Sequence, residues 1–185
     1  MTKFREYYYK NLVNESPYKT GYYLPTDPDY HASNKAWAFD IVEKFKQVGT
    51  IEPYNDGNIY YVYQDELDYY IIGPNKEDVV AEICFKMDKN GYNNTAMWRR
   101  KNSPLKMDWL IVSYFLPKFK IILSDNALST QGEAFWKKII IDYAQNLNYN
   151  IGILKENKFI TYTKPEEFTE DIWDDSNIKV WIRGK

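Results

Sequence analysis

A run of positively charged residues in the middle of the chain is the densest group of side chains that could do chemistry. The run consists of Arg99, Arg100, Lys101, Asn102 and Ser103. Guanidinium and ammonium groups suit a phosphate, and Ser103 adds a hydroxyl and a backbone donor. Pro104 lacks an amide proton, so this segment cannot present a full series of backbone donors. The run predicts a phosphate contact, with a solvated basic loop as the alternative.

The same run has one feature of a nucleic-acid-binding surface, because Trp98 precedes it and Trp109 follows it. Aromatic side chains between cations can stack on bases. The whole chain, however, contains 24 basic and 26 acidic residues and has a formal charge of -2. It therefore lacks the broad positive surface that nucleic-acid binding usually requires. We predict no nucleic-acid partner.

The scarcity of cysteine and histidine excludes several kinds of catalytic site. With one residue of each type, neither a zinc site of the usual nitrogen and sulfur ligands nor a common hydrolytic triad is expected. Cys84 lies in the apolar run 79–85, which predicts a buried structural side chain rather than a catalytic thiolate. Acidic pairs between residues 166 and 175 alternate with apolar residues, as on the solvated face of a short helix. We predict no metal site there.

The hydropathy of the sequence predicts neither a membrane span nor a secretion signal. The longest mostly apolar stretch, 109–116, is far shorter than the roughly 20 residues of a membrane-spanning helix. The first six residues carry charges and no apolar core follows them. These features predict a soluble cytoplasmic protein with no membrane partner. Aromatic residues form 18% of the chain, beside abundant Asn, Lys and Ile, a composition that indicates an AT-rich genome such as that of a bacteriophage or a low-GC bacterium.

The spacing of apolar residues predicts a single α+β domain over residues 1–185, with a mixed, mostly antiparallel sheet flanked by helices. A helix at 34–48 is expected to begin at an N-cap, Ser33, and to end at Gly49, and another is expected to stop at Pro117. The predicted helices are 4–13, 34–48, 105–116 and 129–144, and residues 17–30 form an ordered loop. The predicted strands are 59–64, 67–72, 79–87, 95–100, 119–123, 149–154, 158–162 and 178–182.

The order of these elements resembles the GCN5-related N-acetyltransferase fold over residues 32–163. The shared order is a helix, three meandering strands, a loop, a helix, a buried strand, a helix and two strands. The resemblance implies an acetyltransferase-like core at 32–163, preceded by an N-terminal helix and loop at 1–31 and followed by a C-terminal extension at 164–185. It also implies two splayed central strands and a bound acyl-CoA, here acetyl-CoA. In that family the loop after the fourth strand opens a helix, and the N-terminus of that helix holds the pyrophosphate of the coenzyme.

The resemblance assigns cofactor contacts to two places in this chain. Asn126 matches the asparagine that often begins the helix after the buried strand. The pyrophosphate loop lacks both glycines of the family pattern. Its residues would be Arg99, Arg100, Lys101, Asn102 and Ser103.

The resemblance also implies two catalytic groups. Phe135 or Trp136 fills the position where the family has a tyrosine that protonates the leaving thiolate, and this leaves Tyr143 or Tyr114 as the acid. Glu82, on the strand 79–87, is the implied general base, with an outward-facing strand position as the alternative interpretation.

Two functions from different classes follow. The first is an acyl-CoA-dependent N-acyltransferase that acts on an amine of a small molecule or a protein. The second is a non-catalytic phage or bacterial accessory protein that binds a host or virion protein through an aromatic surface. The absent glycines and the absent acid favour the second function. That surface would comprise Tyr7, Tyr8, Tyr9, Tyr18, Tyr22, Tyr23 and Tyr30.

Overall fold

Nine strands and four helices account for most of the chain in the computed structural model, which describes residues 28–53, 57–100, 103–126, 128, 130–143, 148–169 and 171–185. The strands are β1 (Lys46–Ile51), β2 (Tyr60–Asp65), β3 (Asp68–Ile72), β4 (Val79–Asp88), β5 (Gly91–Arg99), β6 (Ile121–Leu123), β7 (Tyr149–Lys155), β8 (Lys158–Tyr162) and β9 (Lys179–Gly184). The helices are α1 (Pro28–Lys44), α2 (Met107–Leu110, Ile111–Phe115 and Leu116–Phe119), α3 (Thr130–Tyr143) and α4 (Asp171–Asp174), with a 3-10 turn at Pro165–Glu167.

The strands form one sheet in the order β1-β2-β3-β4-β5-β6-β9-β7-β8. The pairs β1/β2, β6/β9, β9/β7 and β7/β8 are antiparallel, whereas β5 and β6 run parallel. The predicted α+β class with a mixed, mostly antiparallel sheet is therefore confirmed. The last strand, β9, lies between β6 and β7, inside the sheet, although the sequence placed it in an extension beyond the core.

The residue contacts group the chain into two compact units. The first unit contains Met1–Asp65, Tyr70–Ala81 and Arg99–Ser103. In its described part, helix α1 buries Ala38 and Ile41. The Tyr70 ring stacks on Phe45 at a centroid distance of 5.5 Å and meets the edge of Trp37 at 6.1 Å.

A buried asparagine joins α1 to β4 within the same unit. The Asn34 Oδ1 atom accepts the Val79 N–H at 2.8 Å, and its Nδ2 donates to the Val79 carbonyl at 3.2 Å. Both side chains are buried. The side-chain amide of Asn34 thus makes the two main-chain hydrogen bonds to Val79, the first residue of β4, that a neighbouring strand would otherwise make.

The second unit contains Glu66–Tyr69, Glu82–Trp98 and Pro104–Lys185. Its aromatic cluster brings Phe119 of α2 against Phe85 and Tyr92, with centroid distances of 4.8 and 4.0 Å. Such rings supply a large buried area and favourable edge or stacked contacts. The cluster anchors α2 to β4 and β5.

Helix α1 differs from its predicted bounds at both ends. It begins at Pro28, where the missing N–H of proline costs nothing, so Ser33 lies inside the helix rather than at its N-cap. It ends at Lys44, and Gly49 belongs to β1. The register of β1 against β2 shifts between Gln47 and Gly49, so the glycine marks a β-bulge instead of a helix end.

Helix α2 also departs from its prediction, because Pro117 does not stop it. The turn Ile111–Phe115 is a π-helix, and the helix resumes at Leu116–Phe119. Proline clashes with the carbonyl four residues earlier in a regular α-helix. A widened π turn directly before Pro117 changes that geometry and lets the helix continue to Phe119.

Strand β5 begins earlier than expected. The strand predicted at 95–100 starts at Gly91, whose φ is +142°, directly after a turn at Lys89 and Asn90. Strand β8 has its predicted bounds, and β6, β7 and β9 agree with prediction to within two residues. The predicted helix 4–13 and most of the predicted loop 17–30 lie outside the described residues.

Candidate functional site

Strands β5 and β6 run parallel over two residue pairs. Tyr92 pairs with Ile122 and Asn93 with Leu123. Strand β6 then ends, while β5 continues to Arg99. We call the point after these two pairs the β5/β6 divergence.

The chain after β6 bonds to β9 instead of β5. The Ser124 N–H donates to the Val180 carbonyl at 2.7 Å, and the Val180 N–H donates to Ser124 Oγ at 2.9 Å. Ser124 is 1% exposed. Its buried hydroxyl takes the place of a main-chain carbonyl as the acceptor for the neighbouring strand. The chain therefore stays bonded to β9 for one residue beyond Leu123, the last residue of β6.

Two buried polar residues of β5 lie at the β5/β6 divergence. Asn93 Nδ2 donates to the Lys86 carbonyl at 3.1 Å, and Asn94 Nδ2 donates to the Cys84 carbonyl at 3.2 Å. Both asparagines are buried. Their amides therefore satisfy carbonyl groups of β4 and tie β5 to that strand, as buried polar groups require.

A charged group adjoins these asparagines. Lys179 Nζ donates to Asn93 Oδ1 at 2.6 Å and lies 3.3 Å from Asp88 Oδ2. Burial by itself would raise the pKa of Asp88, but bonds from the Asn90 N–H, Asn93 and Lys179 outweigh it and lower that pKa below its ordinary value of 3.8. The carboxylate is thus held ionised beside Lys179.

We expect Asp88→Asn to lower stability at neutral pH and to leave it unchanged in acid. Because the folded-state pKa of Asp88 is lowered, its contribution is present above pH 3.8 and is lost as the pH falls through the folded value. The effect at pH 7 should be below about 1 kcal/mol, since solvent screens a partly exposed carboxylate. Urea unfolding at pH 7 and at low pH measures this difference. A gap between the two proteins that stays constant with pH would contradict the assignment.

Helix α2 contributes a buried tyrosine hydroxyl. The Tyr114 hydroxyl is buried and has no hydrogen-bond partner, and Lys118 Nζ lies 3.8 Å from the centroid of its ring. Burial raises the pKa of Tyr114 and lowers the pKa of Lys118. The phenol is therefore protonated at neutral pH, and its O–H is a donor without a partner in the described part of the chain. It belongs to the π turn, a local irregularity that is frequent at functional sites.

The β9 strand contributes a second buried donor without an acceptor. Trp181 is 1% exposed, and its indole Nε1 has no hydrogen-bond partner. The ring packs with Leu123 and Leu154 and meets Phe159 at a centroid distance of 5.6 Å. Its apolar surroundings indicate a core residue, and the unmet N–H is a cost that this packing offsets.

The predicted phosphate loop lies in the first unit, and its central cation is already paired. Arg100 Nη1 forms an ion pair with Asp78, and its N–H donates to the Val80 carbonyl at 2.8 Å. Arg99 Nη1 donates to the Ser103 carbonyl at 3.5 Å, while Ser103 is buried. The side chains of Lys101 and Asn102 lie outside the described residues. Helix α2 begins at Met107, two residues after the predicted start.

The other predicted site residues have separate partners. Cys84 is buried, as predicted, and its Sγ lies 3.8 Å from the carboxylate of Glu82, which is partly buried. Tyr143, at the end of α3, meets Tyr149 at a centroid distance of 5.6 Å, and burial, followed by Asp108, raises its pKa. The exposed Asn126 donates its N–H to Asp125 Oδ1 at 2.8 Å.

Sequence reasoning missed the charged pair Lys179 and Asp88 and the role of the two asparagines. No local sequence pattern predicts a contact between residues that lie 91 positions apart in the chain. The contact between Tyr114 and Lys118 was predictable from the sequence, because residues four positions apart lie on one face of a helix. Of the two residues that the resemblance places at the position of the family's acid, Trp136 is 1% exposed and belongs to the core, whereas Phe135 is partly buried.

The described residues provide neither a metal-binding cluster nor a membrane-spanning helix. Within the described ranges, no cluster of three or more His, Cys, Asp or Glu side chains could hold a metal ion. The helices of the same part of the chain include none long and apolar enough to cross a membrane. Comparison of the chain with protein-family models, curated proteins and solved structures yields no significant match.

Proposed function

We propose that this protein is an acyltransferase-like domain that binds acetyl-CoA or a related acyl-CoA and transfers the acyl group to an amine of a small molecule or a protein. The observation that carries the proposal is the β5/β6 divergence. Two parallel strands that share the two pairs Tyr92/Ile122 and Asn93/Leu123 support the splayed central strands that the acetyltransferase resemblance implies. Fold likeness alone is an analogy, so the chemistry must come from named groups.

The proposed reaction uses a base and an acid from the second unit. The acceptor amine attacks the thioester carbonyl, the C–N bond forms and the C–S bond breaks. Glu82, on β4, takes the amine proton. The leaving thiolate is protonated by a tyrosine, and we favour Tyr114 over Tyr143 because the Tyr114 hydroxyl is buried without a partner. Positioning of both substrates supplies most of the remaining rate enhancement.

The test is calorimetric titration with acetyl-CoA and with CoA. We expect a dissociation constant of roughly 1–100 μM. Arg99→Glu should weaken binding by about tenfold or more, because a charge-assisted phosphate contact is replaced by repulsion. Arg183→Glu, an identical charge change at an exposed position of β9, is the control and should alter affinity by less than about twofold. Arg100 is a poorer test residue, since its replacement also breaks the ion pair with Asp78.

Binding that is absent at about 1 mM ligand would reject the acyltransferase proposal. It would favour the second candidate, a non-catalytic accessory protein that binds a host or virion protein. One observation supports this alternative: the Arg100 guanidinium, at the centre of the proposed phosphate loop, already has a carboxylate partner in Asp78. The tyrosines proposed for its aromatic surface lie outside the described residues, except for the main chain of Tyr30.

A further inference from the structure

Strand β8 is an exposed edge of the sheet with apolar side chains on both faces. Among the strands of the described residues it is the last in the sheet order, and its partner there is β7. Residues 158–161 are all exposed, and the exposed fractions of Phe159 and Ile160 are 43% and 41%. Unprotected edge strands of this kind are templates for pairing with another strand. The opposite edge, β1, carries a bulge between Gln47 and Gly49, a common protection that the regular register of β8 lacks.

The hydrogen-bond pattern of β7 shows which main-chain groups of β8 face outward. The Lys185 N–H donates to the Asn148 carbonyl, so alternate residues of β7 counted from Asn148 bond to β9 and the others bond to β8. Those others are paired with Lys158, Ile160 and Tyr162. The N–H and C=O groups of Phe159 and Thr161 therefore point away from the sheet.

The free edge is limited at each end. Glu156 and Asn157 form the turn to β7, with φ values of 50° and 62°, the left-handed pair of a tight hairpin. Beyond the strand, the Thr163 N–H donates to Glu167 Oε2 at 2.5 Å and the Lys164 N–H donates to the same oxygen at 2.8 Å. The outward groups available for pairing are thus those of Phe159 and Thr161.

We propose that β8 pairs with β8 of a second copy of this chain in an antiparallel, two-fold symmetric manner centred on Ile160. In this register Phe159 of each copy lies opposite Thr161 of the other. Each of these two pairs exchanges two main-chain hydrogen bonds. Every outward group of the edge is then satisfied, and the two sheets join into one. This inference does not depend on the proposed acyltransferase function.

Side-chain complementarity selects this register and a second copy as the occupant. Lys158 of each copy lies opposite Tyr162 of the other, a cation–π pair on both sides of a central Ile160/Ile160 contact. A register displaced toward the carboxyl end would put Lys158 opposite Lys164, where like charges repel, and would need the Thr163 N–H that Glu167 already binds. A register displaced the other way would place Asn157 of the turn in the ladder.

Sedimentation equilibrium of the full chain over a range of concentrations tests the pairing. We expect a dimer with a dissociation constant of roughly 10–100 μM, since two short strands bury less than a standard interface. Thr161→Pro removes an outward N–H and no bond to β7, so it should weaken dimerisation at least about tenfold. Thr161→Val keeps that N–H and should leave the dimer intact.

Ile160→Lys provides an independent variant, because it sets two ammonium groups opposite each other at the two-fold axis. It should also give a monomer, with the unfolding temperature confirming that the fold persists. A wild-type chain that stays monomeric at about 200 μM overturns the proposal. So does a folded Thr161→Pro or Ile160→Lys protein that dimerises as strongly as the wild type.

Discussion

Replacing Gly152 with alanine should destabilise the protein more than any other single methyl addition to β7. A Cβ at this position would collide with the Ile160 carbonyl oxygen of β8 and would lie 2.8 Å from Cζ2 of Trp181. The first atom belongs to the main chain and the second to an indole that is 1% exposed, so neither can yield without moving a strand. Overpacking of this kind should cost at least about 3 kcal/mol.

The measurement is thermal or urea unfolding followed by circular dichroism. For a chain of this size the loss corresponds to a decrease of about 10 °C in the unfolding temperature. Gly184→Ala is the matched control, because Gly184 lies in the same sheet, on β9, and a Cβ there meets nothing within 4 Å. It should change stability by less than about 0.5 kcal/mol. Equal stability of Gly152→Ala and Gly184→Ala would show that the indole does not lie over Gly152.

The second large effect is expected at Asn34. Its side chain satisfies both the N–H and the carbonyl of Val79, at 2.8 and 3.2 Å. Asn34→Ala would leave both main-chain groups unpaired, at a position where Val79 is 0% exposed. Each buried group without a partner costs about 1–3 kcal/mol, so we expect a loss of about 3 kcal/mol in the free energy of unfolding.

Urea unfolding also measures this loss, with Lys35→Ala as the neighbouring control. Lys35 forms an exposed ion pair with Glu77 at 2.9 Å, and such pairs contribute less than about 1 kcal/mol. If Asn34→Ala were no less stable than Lys35→Ala, the main chain of β4 would have to find other partners. Hydrogen exchange at the Val79 amide would separate these cases, because the N–H should lose its protection in Asn34→Ala only when no substitute partner forms.

The candidate site was only partly accessible from the sequence. Spacing along the chain was enough to identify the basic run that contains Arg99 and to expect a buried Cys84. It could not reveal that Asp78 pairs with Arg100, or that Lys179 reaches Asp88 and Asn93, since these contacts depend on how distant strands are ordered in the sheet. The favoured proton donor, Tyr114, lay within a predicted helix, but its burial follows from tertiary packing and from a π turn that apolar periodicity does not encode.

The sequence by itself determined the elements whose signals are local. The strands 149–154 and 158–162, linked by Lys155-Glu156-Asn157, were predicted from the sequence, and the apolar stripe of α3 predicts its helix. Both signals are local, because side-chain periodicity and turn chemistry act within a few residues. Tertiary structure alone decided that β9 lies between β6 and β7 and that β5 and β6 run parallel over two residue pairs. Strand order is selected by burial of whole faces and by distant hydrogen bonds such as that of Val180 with Ser124. A local pattern is compatible with several such orders, and the packing of the complete sheet selects one.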